Sequence, residues 1–225
     1  MPRRIIDLST PIDAGHFRWP VERRKVKSHA AGDGAEATFL GWTVHGFTHM
    51  DAPRHFDPEG ATTDEIGLET VIGTACVVDV SQARADEAVT AEMVAAGGTA
   101  VQPGDIALIR SGWDRFESID RPEFWTRSPW LTDDACRWLL QRQVKAVAFD
   151  FPQDRCIRDR VIGDRVPERA EMTSHVILLA NGVIMFEYLR NMMAISRPRV
   201  EFIGLPLKVA RCDGAPARAI AIEES

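Results

Sequence analysis

No C-x-x-C pair occurs in this sequence, and its four cysteines, Cys76, Cys136, Cys156 and Cys212, are widely scattered. That spacing excludes a zinc ribbon and a dithiol redox motif, and each thiol is read as a small buried apolar group. Long apolar runs are missing too. The longest, Val176 to Phe186, is broken by Asn181-Gly182 and falls far short of the roughly 20 residues that a membrane span needs. The opening arginines are not followed by the apolar core of about 7–15 residues that a secretory signal requires, so the chain is expected to be cytoplasmic. Clustered basic residues are absent as well. With 27 Lys+Arg against 33 Asp+Glu, a net charge of -6, the chain is a poor partner for nucleic acid.

What is present is an ordinary globular composition, 45% hydrophobic and 27% charged over 225 residues. A chain of that size buries roughly 70% of the surface exposed by its unfolded form. Neither a disulfide nor a structural metal is needed to fold it, so a metal site would serve function.

Short apolar and β-branched runs predict strands at Ile5–Leu8, Ala37–Val44, Ala75–Val80, Asp105–Arg110, Val144–Phe149, Val183–Phe186, Val200–Leu205 and Ala217–Ile222. Helices are expected between several of them. One follows the Thr90 cap and stops at Gly97-Gly98, and another opens at Thr132 with two aspartates suited to the helix dipole. A third runs from Ser174 to Asn181, with Gly182 as a left-handed stop. Mixed signals without repeats or low-complexity linkers predict one α/β domain over residues 1–225. The aperiodic stretch from Ser111 to Pro129 reads equally as a pocket cover or as a packed surface loop.

The segment from Val44 to Phe56 carries the chemistry. It holds His45, His49, Asp51 and His55, which puts three of the six histidines within eleven residues. Neutral imidazole together with a carboxylate suits zinc or manganese, because nitrogen lone pairs donate while the anion offsets the cationic charge. Gly46 and Pro53 oppose a continuous helix, so the segment is placed on a turn between a strand ending near Val44 and a short helix.

The H-x3-H-x-D-A-P-x-H-F pattern resembles the signature of the metal-dependent cyclase/hydrolase family that includes bacterial kynurenine formamidases and isatin hydrolases. A later pairing of that family, a His and a Glu twelve residues on, has its counterpart at His175 and Glu187. The similarity continues through Thr10-Pro11, Trp19-Pro20, Leu108 to Trp113, Ala148 to Pro152, Leu205 to Lys208 and Asp213 to Arg218. It implies an α/β swivelling fold around a small β-barrel, in homodimers or homotetramers.

Residue by residue, the resemblance implies that His45, His49 and Asp51 hold a first ion. Asp51 then bridges to a second ion on His175 and Glu187, so one or two zinc or manganese ions are expected per subunit. His55 is implied as the proton shuttle and Trp19 as a wall against an aromatic small-molecule substrate. Phe47 departs from the family, whose formamidase branch commonly has Thr-Gly where this chain has Gly46-Phe47. Its ring is expected either to fill part of the pocket or to offer a stacking face.

The implied activity is hydrolysis of a non-peptide C–N bond by metal-activated water, in an aryl formamide such as N-formylkynurenine or a cyclic amide such as isatin. A lactone or ester hydrolase is the enzymatic alternative, since the same nucleophile attacks both carbonyls. A protein that binds a metal or an aromatic ligand without turnover is the non-catalytic one. For Asp154, capping a turn outweighs orienting a ligand imidazole; for Asp150 the two readings balance. Arg54 is read as solvated, and His16, Arg18 and His29 are given no role.

Overall fold

Branched and small residues share the apolar runs, and in a computed structural model describing residues 3–163 and 165–224 both faces of those runs are used. The strands are β1 (Arg3–Asp7), β2 (Glu22–Lys27), β3 (Ala37–Gly41), β4 (His49–Asp51), β5 (Ile72–Asp79), β6 (Ala88–Val89), β7 (Ile106–Arg110), β8 (Trp130–Leu131), β9 (Ala146–Phe149), β10 (Ile184–Glu187), β11 (Arg199–Pro206) and β12 (Gly214–Glu224). The helices are α1 (Leu68–Val71), α2 (Ala91–Gly97), α3 (Pro122–Thr126), α4 (Asp133–Gln141), α5 (Ile157–Ile162) and α6 (Thr173–Ile177).

Strand order runs β12-β11-β5-β7-β9-β10-β4, and β4 pairs back onto β12. Seven strands therefore close a barrel, with β1 added as an outer strand on β12. The centre of the sheet, β5-β7-β9-β10, is parallel, while the rest is antiparallel. This is the mixed α/β barrel that the family resemblance implies.

Alternation sorts the core into two layers. Ala75, Val77, Ile106, Leu108, Ala146, Ala148, Phe186 and Phe202 belong to a cluster fed by all seven barrel strands, which is the interior. Their neighbours Cys76, Val78, Ala107, Ile109, Val147 and Phe149 face outward, beneath Leu139 and Cys136 of α4 and Val94 of α2. With both faces buried, these strands read as continuous apolar runs. Among the described residues no helix is long and apolar enough to cross a membrane.

The two longer helices and the Gly182 stop, at φ 82, lie where the sequence puts them. The third helix is shorter than expected, because α6 ends at Ile177 and Leu179–Asn181 tighten into a 3₁₀ turn. β3 ends at Gly41, short of Val44. The stretch from Ser111 to Pro129 is packed onto the barrel, with Trp113, Phe124 and Trp125 buried.

His16 ties this stretch to the N-terminal loop. Its Nε2 donates to the carbonyl of Ile119 at 3.0 Å, and its Nδ1 accepts from the backbone N–H groups of Arg18 and Trp19 at 3.1 and 3.3 Å. A proton on Nδ1 would face two donors. Burial, joined by the Arg18 charge, lowers the His16 pKa against the pull of the Ile119 carbonyl and Asp120. The unfolded chain then binds the proton more readily, so this contribution is complete above pH ~6.5 and is lost as pH falls toward the folded value. The urea midpoint should drop between pH 7.5 and pH 5, and by less in His16→Gln; an identical drop in the variant would contradict the assignment.

Candidate metal centre

Closure of the barrel creates the site. β4 is only three residues long, and alternation points Met50 into the interior while His49 and Asp51 share the opposite face. The structure thus corrects the turn expected for these two residues. They lie on a barrel strand, fixed by pairing on both sides, and only His45 remains on the preceding turn. Across the β10 ladder Glu187 stands opposite His49. Across the β12 ladder Gly214 stands opposite Asp51, where a Cβ would come within 2.8 Å of the His45 ring. α6 brings His175 from the other side.

Asp51 is the hub. Its Oδ1 accepts from His45 Nδ1 at 2.6 Å and lies 3.1 Å from His49 Nε2, while its Oδ2 lies 3.5 Å from His175 Nε2. Glu187 closes the group, with Oε2 3.6 Å from His49 Nε2 and Oε1 3.4 Å from His175 Nε2. His45, His49 and Asp51 offer ligand atoms within 4.8 Å of one another, and so do Asp51, His55 and His175. All five proposed ligands and His55 therefore meet in one place, although 130 positions separate His45 from His175 in sequence.

Supporting bonds aim these rings. His175 Nδ1 donates to Asp154 Oδ2 at 2.6 Å, and Asp154 also accepts from the Ser174 backbone N–H and hydroxyl at 2.7 and 2.8 Å. His49 Nδ1 donates to the Phe47 carbonyl at 2.9 Å, leaving Nε2 directed at Asp51 and Glu187. Gln153 donates to Glu187. Such partners fix tautomer and ring direction at metal sites. Asp154 is thus the orienting carboxylate that the turn-cap reading undervalued. Asp150 instead accepts from Ser111 N, Ser111 Oγ and Gly112 N, joining the ends of β9 and β7.

Asp213 escaped the sequence reading as a site residue. Its Oδ2 accepts from His45 Nε2 at 2.7 Å and lies 3.6 Å from His55 Nδ1. Held between Asp51 and Asp213, which outweigh its burial, the His45 imidazole is raised to about 9. Burial opposes a charged Asp51 as well, but the surrounding histidines hold its carboxyl well below the usual range. His55 stacks on His45 with ring centroids 3.9 Å apart; burial, then the charges of His45 and His175 against the pull of Asp51, lowers it to about 4.

The donor set fits a divalent cation. Among the described residues His49 Nε2 and Asp51 Oδ2 are buried without a hydrogen-bond partner, a costly condition unless something else satisfies them. Three imidazoles and two carboxylates suit borderline divalent ions.

Above the centre is a cavity of about 550 Å³, whose wall includes Trp19, Tyr188, Ile157 and Val161 beside His45 and His55. Trp19 is therefore on the cavity wall, as the resemblance implied. Phe47 is not among the lining residues. It is 1% exposed, behind Trp19 at a centroid distance of 4.9 Å, and takes φ 60. A left-handed non-glycine residue costs about 1–2 kcal/mol; here that backbone presents the carbonyl to His49 while the ring packs away from the cavity.

Comparison with known proteins places the chain in a family and a fold. The Cyclase family model matches residues 6–153. The chain belongs to that family. His175 and Glu187 lie beyond the matched stretch, but similarity to full-length relatives extends across them. The kynurenine formamidase of Bacillus thuringiensis (strain Al Hakam) is 25% identical over 225 residues, covering 96% of this chain and 95% of the relative. Among solved structures, isatin hydrolase A from Labrenzia aggregata has a TM-score of 0.81 at 20% identity, covering 99% of this chain and 94% of that one. A predicted metal-dependent hydrolase from Bacillus stearothermophilus gives 0.77 at 24% identity, with both chains fully covered. At these identities the two structural matches establish the shared fold.

Proposed function

We propose that this protein is a metal-dependent hydrolase of a non-peptide C–N bond, in an aryl formamide such as N-formylkynurenine or a cyclic amide such as isatin. One observation carries the reading: buried, unpartnered His49 Nε2 and Asp51 Oδ2 converge with His45, His175 and Glu187 at the floor of an aromatic-walled cavity. The names of the formamidase relatives support the same chemistry.

His45, His49 and Asp51 would hold one ion, with Asp51, His175 and Glu187 available for a second. Bound there, zinc or manganese supplies Lewis acidity that polarises a carbonyl oxygen and lowers the pKa of a water molecule to about 7.

The remaining work falls to the chain. Trp19 presents an aromatic face to a substrate ring, and neighbouring Ile157 and Val161 exclude water from it. His55, on the cavity wall and stacked on His45, is placed to take a proton from the attacking water and return it to the departing nitrogen. An amine leaves poorly until it is protonated, so this return is what an amide demands of the site.

The test is elemental analysis of the purified protein with turnover of N-formylkynurenine and isatin before and after chelation. Stoichiometric divalent metal and hydrolysis that chelation abolishes and metal restores are expected. Metal-replete protein inert on formamides, lactams and lactones alike would instead indicate a binding protein.

A further inference from the structure

Each imidazole of the centre has two nitrogens, and the hydrogen bond made by one decides which is left for an ion. For two of the three the choice is plain. His49 Nδ1 is held by the Phe47 carbonyl and His175 Nδ1 by Asp154, so both rings turn Nε2 inward. His45 is arranged the other way round. Its Nδ1 lies 2.6 Å from Asp51 Oδ1, and its Nε2 donates outward to Asp213 Oδ2 at 2.7 Å.

We propose that Asp213 is a positioning residue: it keeps the His45 proton on Nε2, so that His45 binds the ion through Nδ1, the opposite nitrogen to that used by His49 and His175. The inference rests on the metal-dependent reading of this centre and deepens it by assigning the ligand atom and the group that selects it.

His45 needs such a partner more than the other two. His49 sits on β4, paired on both sides, and His175 on α6, whereas His45 lies on a turn with no ladder to fix it. Its side chain is 22% exposed, against 0% for His49 and 3% for His175, so water competes for its outer nitrogen. The plane of the ring is already set by stacking on His55 at 3.9 Å. Stacking leaves open which nitrogen carries the proton, and it leaves open a half-turn about Cβ–Cγ that would put a carbon where Nδ1 stands. An acceptor at Nε2 opposes both.

Asp213 is itself well held. Its carbonyl accepts from Ala52 N at 2.9 Å, and the Cys212 carbonyl before it accepts from Thr63 N and Oγ1 at 2.8 and 2.9 Å. Gly214 after it pairs with Asp51, so this carboxylate and the hub of the centre share one frame. His55 Nδ1 lies 3.6 Å from the same Asp213 oxygen, beyond hydrogen-bond reach, which leaves that oxygen to His45. The competing arrangement is an ion held by His45, His55 and Asp213 themselves, whose ligand atoms lie within 4.8 Å of one another. Such an ion would take Nε2.

Long-range proton–nitrogen NMR of the zinc-loaded protein, labelled at its histidine nitrogens, reads which nitrogen of each ring is protonated. His45 should carry its proton on Nε2 and zinc on Nδ1, with the reverse at His49 and His175. Asp213→Ala should lose that pattern at His45 alone, and zinc affinity from chelator competition should fall about 10–100-fold. Asp213→Asn keeps an acceptor oxygen and should recover part of the loss. A merely structural role would leave the His45 pattern intact.

Zinc on His45 Nε2, or an unchanged pattern and affinity in Asp213→Ala, overturns the proposal. None of these readouts needs turnover. The expected pattern in a protein inert on N-formylkynurenine and isatin supports the role of Asp213, and only the hydrolase reading then fails. A protein that takes up no zinc overturns both.

Discussion

Replacing Asp51 with alanine is expected to strip the protein of metal and to lower turnover by well over 100-fold, because both oxygens of this carboxylate are committed. Oδ1 serves the His45 and His49 side of the centre and Oδ2 the His175 side. Glu187 also spans the two sides, with its oxygens facing His49 and His175 while it accepts from Gln153. Asp154→Ala is the informative contrast. It removes the carboxylate that holds His175 Nδ1 at 2.6 Å but no proposed ligand, and groups that only orient a ligand typically contribute ~10–100-fold in metal affinity or activity. Asp51→Asn keeps the volume of the buried side chain and serves as the folding control. Metal content by atomic emission with circular dichroism on the same samples checks the series. A folded Asp51→Asn variant with full metal and full turnover would contradict the role.

His55→Ala should separate binding from chemistry. The expected result is metal retained with a fall in kcat on the order of 10²–10⁴, the range for loss of a positioned acid-base group. Geometry makes the outcome informative, because His55 offers ligand atoms to two of the candidate metal-binding triplets, one with Asp51 and His175 and the other with His45 and Asp213. A ligand and a proton carrier therefore occupy nearly the same place. Metal loss equal to that of His49→Ala would make His55 a ligand and remove it as the shuttle. Ester substrates should suffer less than amides, since an alkoxide departs with less help from a proton.

Much of the barrel was legible because its central strands are buried on both faces. Ile72–Asp79, Ile106–Arg110, Ala146–Phe149 and Ile184–Glu187 overlap apolar runs that no helical period fits. β2 was not legible. Its sequence, Glu22 to Lys27, is exposed throughout and carries charges on both faces, so the usual alternation is missing. β4 escaped for a different reason: three residues, two of them polar, make a strand only because β10 and β12 pair with them from either side.

The site divides along the same line. A dense local cluster pointed to His45, His49, Asp51 and His55, the family resemblance added His175 and Glu187, and the fold brings all six together. Asp213 belongs to the site through a contact 168 positions from its partner His45, and no local pattern marks it. Phe47 misled because its side chain suggested a role in the cavity. In the fold its backbone carbonyl holds His49, while its ring packs behind Trp19. Trp125 lies beneath the Arg18 guanidinium, 4.5 Å from it, a contact that no local pattern marks.

Anomalous diffraction from crystals of the metal-loaded protein, collected at the absorption edge of the bound element, interrogates the centre most directly. The expected peak lies about 2.0–2.2 Å from His49 Nε2 and an Asp51 oxygen, with His45 turned to join them and any second peak between Asp51, His175 and Glu187. Loaded crystals without a peak at Asp51, or with the ion held by other residues, would contradict the account.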